Sequence, residues 1–249
     1  MGNLVGQQIE HYQIEALLGE GGMGAVYQAQ DLKLARPVAL KVVRAHLARQ
    51  ATFREHFLQE AQATARLDHP AIIKVHDFHS HDDLLYMVME YIAGGSLTAY
   101  LRRLHWKKEQ MALAQALHLV AEIADALDYA HRRGVIHRDI KPDNILLKAG
   151  SGAPDNALHP VVADFGLAIL REQNSEAILG SLPYMSPEQC RGEQMDGRSD
   201  LYSLGVLLFQ LLAGRPPFDI TTLEDAIQQH GEILPPSPTQ FNPYLSPEL

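Results

Sequence analysis

The 249-residue chain has little of what would place it in a membrane, in an oxidising compartment or on nucleic acid. Cys190 is its one cysteine, so no intrachain disulfide can form. A reducing cytoplasm is the natural inference, and Cys190 reads as a small structural residue rather than a nucleophile. Long apolar runs are missing. The most hydrophobic stretch, residues 201–213, is too short for a membrane span and carries Ser203 and Gln210, which predicts a buried core helix. Residues 1–10 lack a cationic start followed by an apolar run, so no signal peptide is expected. Positive charge is scarce: 21 Lys and Arg face 30 Asp and Glu, for a net charge of −9. That argues against a general nucleic-acid binder. An acidic chain can still hold anions where positive charges and backbone N–H groups converge.

What is present is a 46% hydrophobic composition, enough for a real core, in a length that suits one large domain or two lobes. The most informative run is His137-Arg138-Asp139-Ile140-Lys141-Pro142-Asp143-Asn144, with Asp164-Phe165-Gly166 twenty residues further on. A carboxylate, a lysine two residues on and an amide five residues on make an economical site for phosphoryl transfer. The attacking hydroxyl needs a proton acceptor and the phosphate needs positive charge. Metal ions need oxygen ligands, which the amide and a second carboxylate supply.

The first ninety residues alternate apolar and polar in short bursts, and predict strands over 12–18, 25–30, 37–43, 72–78 and 84–90. A glycine turn, Gly19-Glu20-Gly21-Gly22-Met23-Gly24, separates the first two. Phe53, Phe57, Thr64 and Leu67 share one face of a helix that Asp68-His69-Pro70 ends. After Ala93-Gly94-Gly95 the texture turns helical. Ser96 reads as an N-cap, and residues 112–133 as a long amphipathic helix stopped by Gly134. Residues 149–159 read as a surface loop between two short strands, and residues 235–247 are proline-rich and poorly periodic. No internal repeat is visible.

Lying between two strands, the glycine loop is not the strand-to-helix turn of a dinucleotide fold, and it lacks the Gly-Lys-Ser/Thr ending of a P-loop. Alone, Gly19-x-Gly21-x-x-Gly24 is equally an ordinary hairpin. Its weight comes from Val38-Ala39-Leu40-Lys41, where a lysine among apolar strand residues is costly to bury unless anions meet it. Glu60, on the inward stripe of its helix, supplies such an anion. The alternative is two unrelated charges snorkelling to water.

Taken together, these motifs and Tyr184-Met185-Ser186-Pro187-Glu188-Gln189 resemble the eukaryotic-type protein Ser/Thr kinases, in the wording of the bacterial branch. The similarity runs from about Tyr12 to the C-terminus. It implies an α+β, two-lobed protein-kinase-like fold: a small β-rich N-lobe with one main helix over 1–91, a linker over 92–95 and a larger helical C-lobe over 96–249. It implies ATP as phosphate donor, Mg²⁺ (or Mn²⁺) as cofactor, and Ser or Thr of proteins as acceptor, including the kinase itself through a homodimer.

By resemblance, Asp139 accepts the hydroxyl proton, Lys141 stabilises charge on the transferred phosphate, Lys41 holds the α- and β-phosphates, and Glu60 orients Lys41. Asn144 and Asp164 are the metal ligands. Leu18, Gly19, Gly21, Gly24, Val26, Ala39, Leu146 and the gatekeeper Met89 surround the nucleotide, and Glu90 and Ile92 pair the adenine through their backbone. Asp200 ties down the catalytic loop. Ser181, where the family usually has threonine, retains a hydroxyl for Asp139 and Lys141. Arg138 is met by a phosphate on the activation segment, for which Ser175 is the candidate.

One departure concerns Glu188, whose arginine partner normally lies on a later helix. On this ground the C-lobe is expected to be truncated, as a fragment of a longer protein or as a shortened domain. A location in the cytoplasm is expected, including as the cytoplasmic part of a membrane-anchored protein. The runner-up reading is a pseudokinase, a scaffold that binds nucleotide without efficient transfer. The intact Lys41, Glu60, Asp139, Asn144 and Asp164 argue against it, as the activation segment argues against a small-molecule kinase.

Overall fold

The structure, a computed structural model, describes residues 3–81, 84–149, 158–165 and 180–246. Its described residues fall into two compact units. One takes those up to Asp68 together with 73–92; the other takes 69–72 and those from Ala93 on.

The first unit is a six-stranded antiparallel sheet carrying one main helix. The strands are β1 (Gln8–Ile9), β2 (Tyr12–Gly21), β3 (Gly24–Asp31), β4 (Arg36–Val43), β5 (Val75–His81) and β6 (Leu84–Glu90), in the order β1-β2-β3-β4-β6-β5. The apolar alternation read from the sequence becomes one buried face, with Tyr12, Ile14, Ala25, Tyr27, Ala29, Val38, Leu40, Val42, Tyr86 and Val88 in a single cluster. The glycine segment is tighter than expected. β2 continues through Gly19 and Gly21, with Gly19 opposite Val26 and Gly21 opposite Gly24, so only Gly22 and Met23 form the turn. Gly24 is demanded by packing, because a Cβ there would collide with the Val42 carbonyl on β4.

A short helix, α1 (Ala45–Ala48), leads to the main helix, α2 (Ala51–Ala65). Phe53, Phe57, Ala61 and Thr64 form its buried stripe, and the Phe57 ring meets Phe78 of β5 at 5.6 Å. Leu67 is buried but lies beyond the helix end. The strand expected from Ile72 begins only at Val75. Ala71 and Ile72 instead join the second unit, where Val162 N–H donates to the Ala71 carbonyl at 2.8 Å.

The second unit is mainly helical. Ser96 caps α3 (Leu97–Lys107) through the Ala99 N–H, and α4 (Leu113–His131) buries Ala116, Leu119, Ile123, Ala126, Leu127 and Ala130. Beyond α4, Gly134 takes a left-handed φ of 75° that costs a glycine little. Strands β7 (Ile145–Ala149) and β8 (Leu158–Val162) pair antiparallel. The short α5 (Pro187–Cys190) opens on a Ser186–Gln189 capping box, and α7 (Leu223–Glu232) on one formed by Thr222 and Asp225. Between them α6 (Gly197–Ala213), the expected core helix, is capped by Asp196 and buries Leu204, Leu207 and Leu211. No helix among the described residues is long and apolar enough to cross a membrane.

Candidate active site

The second unit gathers the His137–Asn144 run around one carboxylate. Asp139 is 7% exposed and surrounded by donors. Ser181 Oγ donates to its Oδ1 at 2.7 Å, Asn144 Nδ2 to its Oδ2 at 2.6 Å, and Lys141 Nζ stands 3.1 Å from Oδ2. Lys141 Nζ also donates to Ser181 Oγ at 2.6 Å, closing a ring of three side chains. Hydrogen bonds from a cation stabilise the ionised carboxylate, the form that can accept a proton. Burial pushes the Lys141 ammonium below its ordinary pKa, although the Asp143 and Asp164 charges oppose that shift.

Asn144 is oriented by its amide nitrogen, which donates to both the backbone carbonyl and the carboxylate of Asp139. Its Oδ1 is thereby the atom offered to a hard cation. The Ala163 N–H donates to the Asn144 carbonyl at 2.8 Å, which ties the residue preceding Asp164 to Asn144. An amide oxygen and a carboxylate held in this way are the donor chemistry that Mg²⁺ takes.

Two residues here are strained. Arg138 and Asp164 have φ of 68° and 64°, in the left-handed region that costs a non-glycine residue about 1–2 kcal/mol. Asp200 holds the first of them. This carboxylate, fully buried near the start of α6, accepts from the N–H groups of His137 at 2.8 Å and Arg138 at 2.7 Å. His131 Nε2 lies 2.7 Å from the same carboxylate, and its ring sits where a side chain at Gly197 would be. The Arg138 carbonyl accepts from Gln189 Nε2 at 2.7 Å. Near Asp164, the His137 imidazole is a neutral strut. Its Nδ1 accepts from the Asp139 N–H at 3.2 Å, its Nε2 donates to the Ala163 carbonyl at 2.9 Å, and its ring packs edge-on against Phe165.

Glu188 takes a different partner from the arginine that the resemblance implies. Ser199 Oγ donates to its Oε1 at 2.5 Å. Burial would raise the carboxyl's pKa, but hydrogen bonds from Ser199, Ser186 and its own backbone outweigh it and hold the group below its ordinary value. Cys190 is buried, and that burial pushes its thiol up to about 11, as suits an inert packing residue.

In the first unit, Lys41 is 8% exposed on β4, opposite Val26 of β3 and Met87 of β6. Ala39 and Met89 are buried and cross-strand partners, while Leu18 is exposed on β2. Glu60 is half-buried on α2, and Glu90 ends β6 with its N–H donating to the Lys74 carbonyl at 2.9 Å. Ile92 is buried just beyond. Leu146 lies in the second unit, on β7. Gly166 and Ser175 lie outside the described residues.

A family model described as the protein kinase domain matches residues 12–245. The chain belongs to the protein kinase family. PknJ of Mycobacterium tuberculosis, named a serine/threonine-protein kinase, is 41% identical over 232 residues, which are 92% of this kinase domain and 38% of that protein. PrkC of Bacillus subtilis, named likewise, is 38% identical over 248 residues, 96% of this chain and 36% of PrkC. The chain thus spans well under half the length of these relatives. The crystal structure of the PknI kinase domain of M. tuberculosis superposes with a TM-score of 0.73 at 33% identity, covering 96% of this chain and 85% of that one.

Residues that sequence reasoning missed are the supports: His131, Gln189 and Ser199. Each reaches its partner across 11 to 69 positions, and although Gln189 closes the Ser186-Pro187-Glu188-Gln189 motif, nothing local marks the distant partner of any of the three.

Proposed function

We propose that this chain transfers the γ-phosphate of ATP to Ser and Thr hydroxyls of proteins, itself included, with Mg²⁺ as cofactor. The ring formed by Asp139, Lys141 and Ser181 carries the reading. Asp139 aligns the acceptor hydroxyl and takes its proton as the oxygen attacks phosphorus, while the bond to the departing diphosphate breaks. Lys141 offers its charge to the phosphoryl oxygens in flight. Asn144 and Asp164 would hold Mg²⁺, which when bound neutralises charge on the phosphates. Lys41, set by Glu60, grips the α- and β-phosphates, and Leu18, Gly19, Gly21, Gly24, Val26, Ala39, Met89, Glu90, Ile92 and Leu146 hold the rest of the nucleotide. Dependence on ATP and the single buried cysteine fit a cytoplasmic site of action.

The test is transfer of labelled γ-phosphate to the chain and to a generic basic protein, with nucleotide binding measured alongside. Asp139→Asn abolishes transfer and leaves Mg·ATP binding nearly intact. Asp164→Asn loses transfer and weakens Mg²⁺-dependent binding. Transfer that survives both substitutions, or equal loss of binding in the two, overturns this division of labour.

A further inference from the structure

We propose that His118, Glu122 and His159 form a second cation site, for a transition metal of the zinc class, separate from the phosphoryl-transfer centre. His118 and Glu122 are four positions apart on α4 and therefore share a face. β8 brings His159 to the same place. His118 Nε2 and His159 Nδ1 each lie 3.1 Å from one atom, Glu122 Oε1, and the three ligand atoms all fall within 4.8 Å of one another.

Those distances suit a metal. Zinc bonds of about 2.0–2.1 Å at tetrahedral angles set neighbouring ligand atoms roughly 3.3 Å apart. Two edges of that tetrahedron are nearly formed, and the third, between the two imidazole nitrogens, is no longer than 4.8 Å. Two imidazoles and a carboxylate are a donor set for Zn²⁺ or its neighbours, whereas Mg²⁺ and Ca²⁺ favour oxygen shells. Both histidine side chains are 45% exposed and Glu122 is 29% exposed, which gives an ion an entry path and leaves the fourth position to water. β8 runs directly into Ala163 and Asp164, so an ion here would cross-link α4 to the strand that leads to the proposed Mg²⁺ ligand.

Equilibrium dialysis of the whole chain against Zn²⁺ alone, repeated with excess Mg²⁺, tests the site. The expected result is one Zn²⁺ per chain that excess Mg²⁺ does not displace, with affinity lowered at least about tenfold by His118→Ala, His159→Ala or Glu122→Gln. Co²⁺ in place of Zn²⁺ should give the visible absorption of a four-coordinate site, lost in the variants. Zn²⁺ should raise the melting temperature of the parent chain but not of the His118→Ala/His159→Ala double variant. Metal-free melts establish that each variant folds, and His118→Asn and His159→Asn replace any that does not. No Zn²⁺ binding by the parent, unchanged binding by the double variant, or displacement by Mg²⁺ each overturns the proposal.

Discussion

Ser181 donates a 2.7 Å hydrogen bond to Asp139 across 42 positions of sequence, while accepting one of 2.6 Å from Lys141. A segment far along the chain thus completes the setting of the candidate base. Ser181→Ala removes the bridge and leaves two buried charged groups short of a partner. A hydrogen bond to a charged group contributes about 1.5–3 kcal/mol, so kcat should fall roughly tenfold to a hundredfold with little change in the KM for ATP. Ser181→Thr keeps the hydroxyl and should stay near the parent rate. Steady-state kinetics of the two variants decide this, and an unimpaired alanine variant would show that the bridge is incidental.

The hydrophobic periods made individual elements legible, while the two-lobed fold was implied by the resemblance. Phe53, Phe57 and Thr64 mark α2, and the short apolar run around Val38 to Val43 marks β4. The site was legible because Asp139, Lys141 and Asn144 are neighbours in sequence, so a motif carries most of its geometry. Long-range contacts were legible only where the resemblance implied them, as for Ser181 with Asp139 and Asp200 with the catalytic loop. Ser199 satisfies Glu188, which was expected to lack the family's arginine partner, and His131 shares the Asp200 carboxylate. A lone serine or histidine bears no mark of such a partner. The left-handed backbone at Arg138 and Asp164 was equally hidden, because ordinary side chains seldom adopt it.

Lys41 and Glu60 should act as one device. Lys41 is buried in mid-sheet and Glu60 is half-buried on α2. Removing either partner from such a pair strands a charge, which costs about 3–5 kcal/mol when burial is complete and less here. Lys41→Met and Glu60→Ala should each lose most of the transfer activity, and the double variant little more. A double-mutant cycle on kcat/KM measures the coupling, and additive losses would dissolve the pair.

His230 should make the domain sensitive to acid. Its Nε2 donates to the Leu182 carbonyl at 3.0 Å and its Nδ1 accepts from Tyr202 at 2.8 Å, which holds the ring neutral. Burial lowers its pKa below the ordinary 6.5, with the Leu182 carbonyl opposing only in part. As pH falls through about 6.5, the unfolded chain takes up this proton before the folded chain does. Stability therefore drops on acidification through that window and recovers as pH rises. Melting temperatures between about pH 5 and 8 should slope more steeply for the parent than for His230→Gln. Matching slopes would remove His230 from the acid response.

Arg138 should respond to phosphorylation of the activation segment. Its backbone is pinned by Asp200 and Gln189, yet among the described residues its buried Nε has no hydrogen-bond partner. A buried guanidinium nitrogen left in this way calls for an anion. Between Gly166 and Tyr184 the only hydroxyl residues are Ser175 and Ser181, and Ser181 is engaged at Asp139. Ser175, outside the described residues, is therefore the expected phosphosite. A phosphate there adds about −1.5 to −2 of charge at pH 7 and would pair with Arg138. Mass spectrometry after incubation with Mg·ATP should find the mark on the parent chain and not on Asp139→Asn. Ser175→Ala should slow transfer to added substrate, and Arg138→Ala should slow it to a similar degree without preventing phosphorylation at Ser175. An active enzyme without phosphate at Ser175, or a fully active Ser175→Ala variant, would rule this switch out.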